Sequence, residues 1–313
     1  MAICFMLKGW DPGPWIQRIL SARGDLDLRV WPDIGDPADI DYALVWKPDL
    51  DALRSLPNLK VIFSLGAGVD HILTGGELPD VPIVRVVDPD LTNRMSEYII
   101  MHTLIIQRRF RHFDAQQKAH IWDHSDDVAA KDVRVGMMGT GVLGGDAARK
   151  LAMMGFDVAA WGRTEKDLGD IKVYSGSYGL KPFLGRTDIL VCLLPLTPQT
   201  DGILNAELFA GLARDGRLDG PWLINAGRGG LQVEEDILSA LDTGMLAGAV
   251  LDVFRTEPLP DDSRLWTHPR VTMTPHNSAM SDPNALTGYI VRQINRYEAG
   301  EPLENVIDLA RGY

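Results

Sequence analysis

The sequence predicts an α/β protein of two doubly wound parallel-sheet domains, one inserted into the other. Short apolar runs alternate with helix-compatible segments along most of the chain. A glycine motif, Gly139-Thr140-Gly141-Val142-Leu143-Gly144, stands between one such run and a helical segment. The 313 residues suffice for two separate cores. Residues 1–94 and 281–313 form one expected domain, and residues 95–280 the other.

The first domain carries strand signals at Ile3–Leu7, Leu26–Trp31, Tyr42–Trp46, Val61–Leu65 and Ile83–Val87. Trp15–Ser21 and Leu50–Leu56 are helix-compatible, and Pro and Gly punctuate the turns. Ligands of such open sheets bind beyond the carboxyl ends of the strands. Trp46 closes one strand there, and Gly66-Ala67-Gly68 follows another. A small-residue turn before a helix aims several N–H groups at one point, which suits a carboxylate. Taken alone, it more often serves as a plain strand-to-helix connection.

From Asn93 to about Ala119 the spacing of Met95, Tyr98, Ile99, His102, Ile105 and Ile106 predicts one long helix. Its length suits an element crossing between domains or lining a subunit contact. Trp122, in the loop beyond, would cover a partner or pack on its own domain. His120 and His124 would form a metal pair only if the helix continued, and no metal site is expected.

Val133–Met138 reads as a strand buried on both faces. The GxGxxG follows it, then a helix over Asp146–Met154 and a strand over Asp157–Trp161. In this βαβ context the glycines mark a dinucleotide site. Strands recur at Ile189–Leu194, Trp222–Asn225, Ala249–Val253 and Val271–Thr274, with helices at Asn205–Arg214 and Val233–Asp242. Six strands are therefore expected in the inserted domain. An amphipathic helix over Asn284–Ala299 returns to the first domain.

The net charge of −12 argues against broad nucleic-acid or anionic-membrane binding, so an anionic ligand must be held by local arginines and backbone N–H groups. No run approaches the ~20 apolar residues of a membrane span, and Ala2–Leu7 is short for a signal segment. Cys4 and Cys192 lie in apolar runs and read as buried reduced thiols of a cytoplasmic protein.

Three polar residues stand just past successive strands of the inserted domain: Arg228, Glu257 and His276. Each alone passes for a surface or turn residue. Together they would share the sheet edge that carries the glycine loop.

The sequence resembles the D-isomer-specific 2-hydroxyacid dehydrogenase family over nearly its whole length. The motifs are GAGVD, GTGVLG, LLPLTPQT, INAGRGG, LDVFRTEPLP and HPRVTMTPH, with YALVWKP, WGRT and an Arg-Gly-Tyr terminus pointing to its glyoxylate/hydroxypyruvate reductase branch. The resemblance implies a Rossmann NAD(P)-binding domain inserted into a flavodoxin-like substrate domain. It implies reduction of small 2-oxo acids, glyoxylate and hydroxypyruvate, by hydride from a nicotinamide, with substrate bound between domains. His276 would donate the proton, Glu257 would orient its ring, and Arg228 would clamp the substrate. Trp46, Gly66, Ala67 and Gly68 would bind substrate with Arg228 and His276. Cofactor contacts would come from Gly139, Gly141, Val142, Leu143 and Gly144. Trp161, Arg163 and Thr164 would add to these, as would Leu194, Pro195 and Thr200. Ala226, Gly227, Asp252, Arg228 and His276 would complete the set. A homodimer is implied as well.

An NAD site normally ends its second strand with an acid that takes the ribose 2′-OH. Here that strand ends Trp161-Gly162-Arg163-Thr164, which suits a 2′-phosphate, and Lys166 adds charge. NADPH is therefore favoured over NADH. Trp46, Leu65, Met95 and Trp266 are candidate walls of a small pocket. An NAD-linked dehydrogenase of the same family for another 2-oxo acid stays open, as does a nucleotide-sensing, corepressor-like binding protein.

Overall fold

The computed structural model describes residues 1–73, 76–124 and 128–309. The Arg311-Gly312-Tyr313 terminus lies outside them. The chain divides into two compact units, Met1–Leu91 with Met280–Tyr313, and Thr92–Ala279.

The first unit runs β1 (Ala2–Leu7), α1 (Gly13–Ala22), β2 (Asp27–Val30), β3 (Ile40–Trp46), α2 (Leu50–Arg54), β4 (Val61–Ser64), α3 (Asp70–Leu73) and β5 (Ile83–Arg85). Its strands are all parallel in the order β2-β1-β3-β4-β5, the flavodoxin-like arrangement. The expected strands are present, with Leu26, Trp31, Leu65 and the last residues of the Ile83–Val87 run outside the ladders. Asp49 caps α2 by accepting from the N–H groups of Asp51 and Ala52.

In the second unit α4 (Pro89–Gln107), which begins in the first, leads to α5 (Phe110–Lys118). Then come β6 (Arg134–Met138), α6 (Val142–Met153), β7 (Asp157–Gly162), β8 (Lys172–Ser175), α7 (Gly176–Leu184) and β9 (Ile189–Cys192). They are followed by α8 (Ala206–Ala210), β10 (Trp222–Asn225), α9 (Glu234–Asp242), β11 (Gly248–Leu251) and β12 (Val271–Met273). Seven parallel strands order as β12-β11-β10-β9-β6-β7-β8. This is the Rossmann order with one further strand at β12, and it reverses direction between β6 and β9. Arg134 and Asp188 fasten that switch point at its lower end. The guanidinium donates to both carboxylate oxygens, at 3.0 and 2.7 Å, and the Arg134 N–H adds a third bond. Their pairing pushes the guanidinium pKa upward.

Two expectations need correction. The seventh strand is β8, a half-buried edge strand of four residues that lacks the apolar run of its neighbours. The single helix over Asn93–Ala119 is two helices, because Arg109 adopts a left-handed backbone (φ 52°). Side-chain contacts hold that break: Arg109 donates to Asp219 at 2.7 Å, and Arg111 to the Pro269 carbonyl at 2.9 Å.

Each sheet is covered on both faces. In the first unit Cys4, Val45 and Ile62 face one layer, and Phe5, Leu44 and Phe63 the other. The returning helix α10 (Pro283–Glu298) adds Leu286, Ile290 and Ile294 to the second layer. Each such side chain contributes about 1.5–3 kcal/mol by leaving water. Cys4 and Cys192 are both buried and free, and burial pushes each thiol up to about 12.

Candidate active site

The glycine loop follows β6. Gly139 turns the chain at φ +115°, and a Cβ there would lie 2.7 Å from the Leu193 carbonyl oxygen of the neighbouring strand end. Gly144 brings α6 against that turn, since a Cβ would fall 1.9 Å from the Gly139 carbonyl oxygen. At Gly141 the same test meets nothing within 4 Å. The loop is thus closed towards the protein and open outward at the N-terminal end of α6, where a diphosphate finds N–H groups and a favourable dipole. Val142 and Leu143 begin that helix.

Beside it, β7 ends at Gly162, and Arg163, Thr164 and Lys166 are exposed. Trp161 is buried and donates from its indole to the Gly176 carbonyl at 2.9 Å. Across the switch point, Leu194 and Pro195 follow β9. Thr200 braces them from within, giving its hydroxyl to the Pro195 carbonyl at 2.7 Å and accepting from Thr197 N–H at 2.8 Å.

Three arms leave β10, β11 and β12. The first carries Ala226, Gly227 and Arg228. Asn225 shapes it, accepting from Gly227 N–H at 3.1 Å and donating to the Arg228 carbonyl at 3.2 Å. Arg228 is half-buried, with one guanidinium nitrogen on the Gly227 carbonyl at 2.8 Å.

The second arm bears Glu257 and the third His276, and the two meet. Both carboxylate oxygens of Glu257 lie against His276 Nδ1, at 3.0 and 2.9 Å, and Phe254 N–H steadies one of them at 3.2 Å. An acceptor at Nδ1 fixes the proton there, so Nε2 is the ring's outward-facing nitrogen. His276 itself sits in a left-handed backbone (φ 54°), and its N–H is held by the Asp252 carbonyl at 2.8 Å.

Asp252 is fully buried and serves the same arm. Its carboxylate accepts from Thr274 Oγ1 at 2.6 Å, Asn277 N–H at 3.0 Å and Ser278 N–H at 3.1 Å. Thr274 gives its proton to Asp252, so Tyr98 on α4, 2.8 Å from Thr274 Oγ1, is the donor in that contact. Sequence reading placed Asp252 among cofactor contacts and missed Tyr98 and Thr274, whose partners are remote in sequence.

In the first unit, the Trp46 ring stacks on Trp10 (centroids 4.8 Å apart) and meets His71 at 4.6 Å. Gly66 lies close beneath it, since a Cβ would come within 2.4 Å of the ring. Ala67 and Gly68 lead on to α3 and are half-buried. Of the other candidate walls, Leu65 and Met95 are core residues, and Trp266 is half-exposed with its indole on the Pro260 carbonyl at 2.9 Å. The helix before His120 and His124 ends at Lys118, which removes the condition for a metal pair there.

A Rossmann-type unit inserted into a flavodoxin-like one, with a glycine loop at its switch point and charged arms at three strand ends, defines a two-unit dinucleotide-binding protein. A family profile described as "D-isomer specific 2-hydroxyacid dehydrogenase, NAD binding domain" matches residues 100–278. A glyoxylate/hydroxypyruvate reductase A from Escherichia fergusonii is 39% identical over 319 residues, covering 100% of both chains. The structure of an NADPH-dependent glyoxylate/hydroxypyruvate reductase from Sinorhizobium meliloti, in complex with NADP and sulfate, superposes with a TM-score of 0.95 at 49% identity, covering 100% of this chain and 99% of that one. A probable 2-hydroxyacid dehydrogenase from Rhizobium etli, in complex with NADP, HEPES and L(+)-tartaric acid, gives 0.93 at 46%, with 100% and 99% covered. The chain belongs to the D-isomer-specific 2-hydroxyacid dehydrogenase family.

Proposed function

We propose that the protein reduces small 2-oxo acids, glyoxylate and hydroxypyruvate, to the corresponding 2-hydroxy acids, glycolate and D-glycerate, with NADPH. The observation that carries the reading is the His276–Glu257 pair at the strand ends beside Arg228. When bound, a nicotinamide cofactor would supply the hydride for the keto carbon.

His276 gives its Nε2 proton to the keto oxygen as negative charge grows there. Glu257 accepts from Nδ1 and keeps the ring oriented, with Nε2 left to face the keto oxygen. Arg228 takes the substrate carboxylate on its planar fork of donors, a geometry a lysine cannot copy. Within the first unit, Gly66 beneath Trp46 opens the small-residue turn Gly66-Ala67-Gly68, which suits a carboxylate. Gly139, Gly141, Val142, Leu143 and Gly144 hold the diphosphate. Leu194, Pro195, Thr200, Ala226 and Gly227 would line the remaining cofactor path with Trp161, and Asp252 supports it from within through its bonds to the His276 arm.

Arg163 and Thr164 select NADPH. The supporting observation is the end of β7, where both are exposed and no acid ends the strand. The protein works in the cytoplasm as a homodimer. Its two free buried thiols suit a reducing compartment. Phe110, Phe113 and the 93%-exposed Trp122 are exposed apolar side chains that a second copy would cover.

One absorbance assay tests the reaction: NADPH consumption with glyoxylate, hydroxypyruvate and the bulkier phenylpyruvate, repeated with NADH. Turnover of the two small acids, with NADPH preferred, is expected. Inertness towards all three with either cofactor would sink the reading.

A further inference from the structure

Between Arg228 and the Glu257–His276 pair lies a buried polar brace that the proposed chemistry does not use. Asn225 and Gln232 are both fully buried. Asn225 Nδ2 donates to Gln232 Oε1 at 2.8 Å while the same side chain holds the Arg228 arm at Gly227 and Arg228. Gln232 Nε2 then reaches the carbonyl of Val253, on the second arm, at 3.0 Å. The next residue, Phe254, gives its N–H to Glu257, and Glu257 holds His276.

A second strut runs nearer the surface. The Arg255 guanidinium donates to the Gly230 carbonyl at 2.9 Å and to Asp201 at 3.0 Å, while the Arg255 N–H bonds Glu234 at 3.0 Å. Between the struts the backbones touch, since a Cβ on Gly229 would lie 1.9 Å from the Phe254 carbonyl. The two arms are therefore tied by paired side chains on one side and by a guanidinium on the other.

Burying two primary amides costs desolvation that an apolar pair of the same volume avoids. What the amides add is direction: each bond fixes one arm relative to the other. In a two- or three-carbon 2-oxo acid the carboxylate and keto oxygen sit on adjacent carbons. A clamp for one and a proton donor for the other must then be spaced closely, and a shift of about 1 Å can cost about 10²-fold in rate.

We propose that Gln232 is a positioning residue that sets the Arg228 guanidinium against the His276–Glu257 pair. The inference rests on the roles proposed for Arg228 and His276. Gln232→Leu removes these two bonds, and a longer one from Nε2 to Glu234 at 3.4 Å, at similar volume. Gln232→Glu keeps an acceptor for Asn225 and sets its other oxygen against the Val253 carbonyl and Glu234, replacing two donated bonds with repulsion. Each is measured by steady-state kinetics with NADPH and glyoxylate, in the wild-type background and in Arg228→Lys.

In the wild-type background each should lower kcat/KM by about tenfold or more with KM for the 2-oxo acid rising. The NADPH Kd, from fluorescence titration without substrate, should stay within about twofold. In the Arg228→Lys background the same substitutions should change kcat/KM by less than about threefold, because the clamp they align is already lost. Equal losses in the two backgrounds, or full kcat/KM in Gln232→Glu, overturn the proposal. If Gln232→Leu does not fold, the near-isosteric Gln232→Glu decides by the same comparison. A wild-type protein inert towards 2-oxo acids overturns the roles of Arg228 and His276, and the inference with them. An active wild type with additive losses overturns the inference alone.

Discussion

At the residue scale the pair His276 and Glu257 defines what the site can do. A ring anchored at Nδ1 presents one outward nitrogen, so the residue suits single-proton delivery. His276→Ala should lower kcat by about 10²–10⁴-fold, a far larger effect than any on NADPH affinity measured by fluorescence titration. Near-full turnover in that variant would remove the assignment. Arg163 works at a distance from this chemistry. Arg163→Asp should raise the KM for NADPH about tenfold or more and narrow the gap to NADH, because an acid at a strand end takes the ribose 2′-OH and repels a 2′-phosphate. Measuring both cofactors on the variant checks it, and an unchanged NADPH KM speaks against selection by Arg163.

At the element scale the glycine loop separates folding from binding. Gly144→Ala places a methyl 1.9 Å from the Gly139 carbonyl oxygen, so α6 must move. Gly141→Ala meets open space at an ordinary backbone angle (φ −73°). The first should lower the melting temperature and NADPH affinity together. The second should keep the melting temperature and weaken NADPH alone, by occupying the side a diphosphate approaches. Calorimetry and fluorescence titration of the two variants test the pair, and a Gly141→Ala protein with full affinity would place the diphosphate elsewhere.

The same elements show why much of the fold is legible in sequence. Strands buried on both faces must be continuous apolar runs, and β1, β3, β4, β6 and β9–β11 all declare themselves so. Strand β8, exposed at an edge, has no such need, and α7 carries Pro182 and two glycines that mask it. Arg228, Glu257 and His276 were legible because each closely follows an apolar run. Gln232 and Tyr98 were not. Their roles depend on Val253 and Thr274, 21 and 176 positions away, and no local pattern records such partners.

At the scale of the whole molecule, a chain of net charge −12 must bind an anionic cofactor against its own field. Local groups therefore carry the affinity, and salt should weaken NADPH binding only modestly where those groups are shielded. A ligand that binds only the folded state stabilises by about 2.7 kcal/mol at 100 times its Kd. NADPH should thus raise the melting temperature by several degrees, and NADH at equal concentration by less. Equal shifts from the two cofactors would argue against a 2′-phosphate site.

The left-handed backbone at His276 has a cost in folding free energy. Only glycine adopts φ near 54° without steric cost, so the chain carries a local strain of about 1–2 kcal/mol at His276, held there by the bond from its N–H to the Asp252 carbonyl. A glycine there would relieve the strain and remove the ring that Glu257 holds. The restraint lies in the buried Asp252 carboxylate, whose three donors, Thr274, Asn277 and Ser278, hold the chain on both sides of the ring.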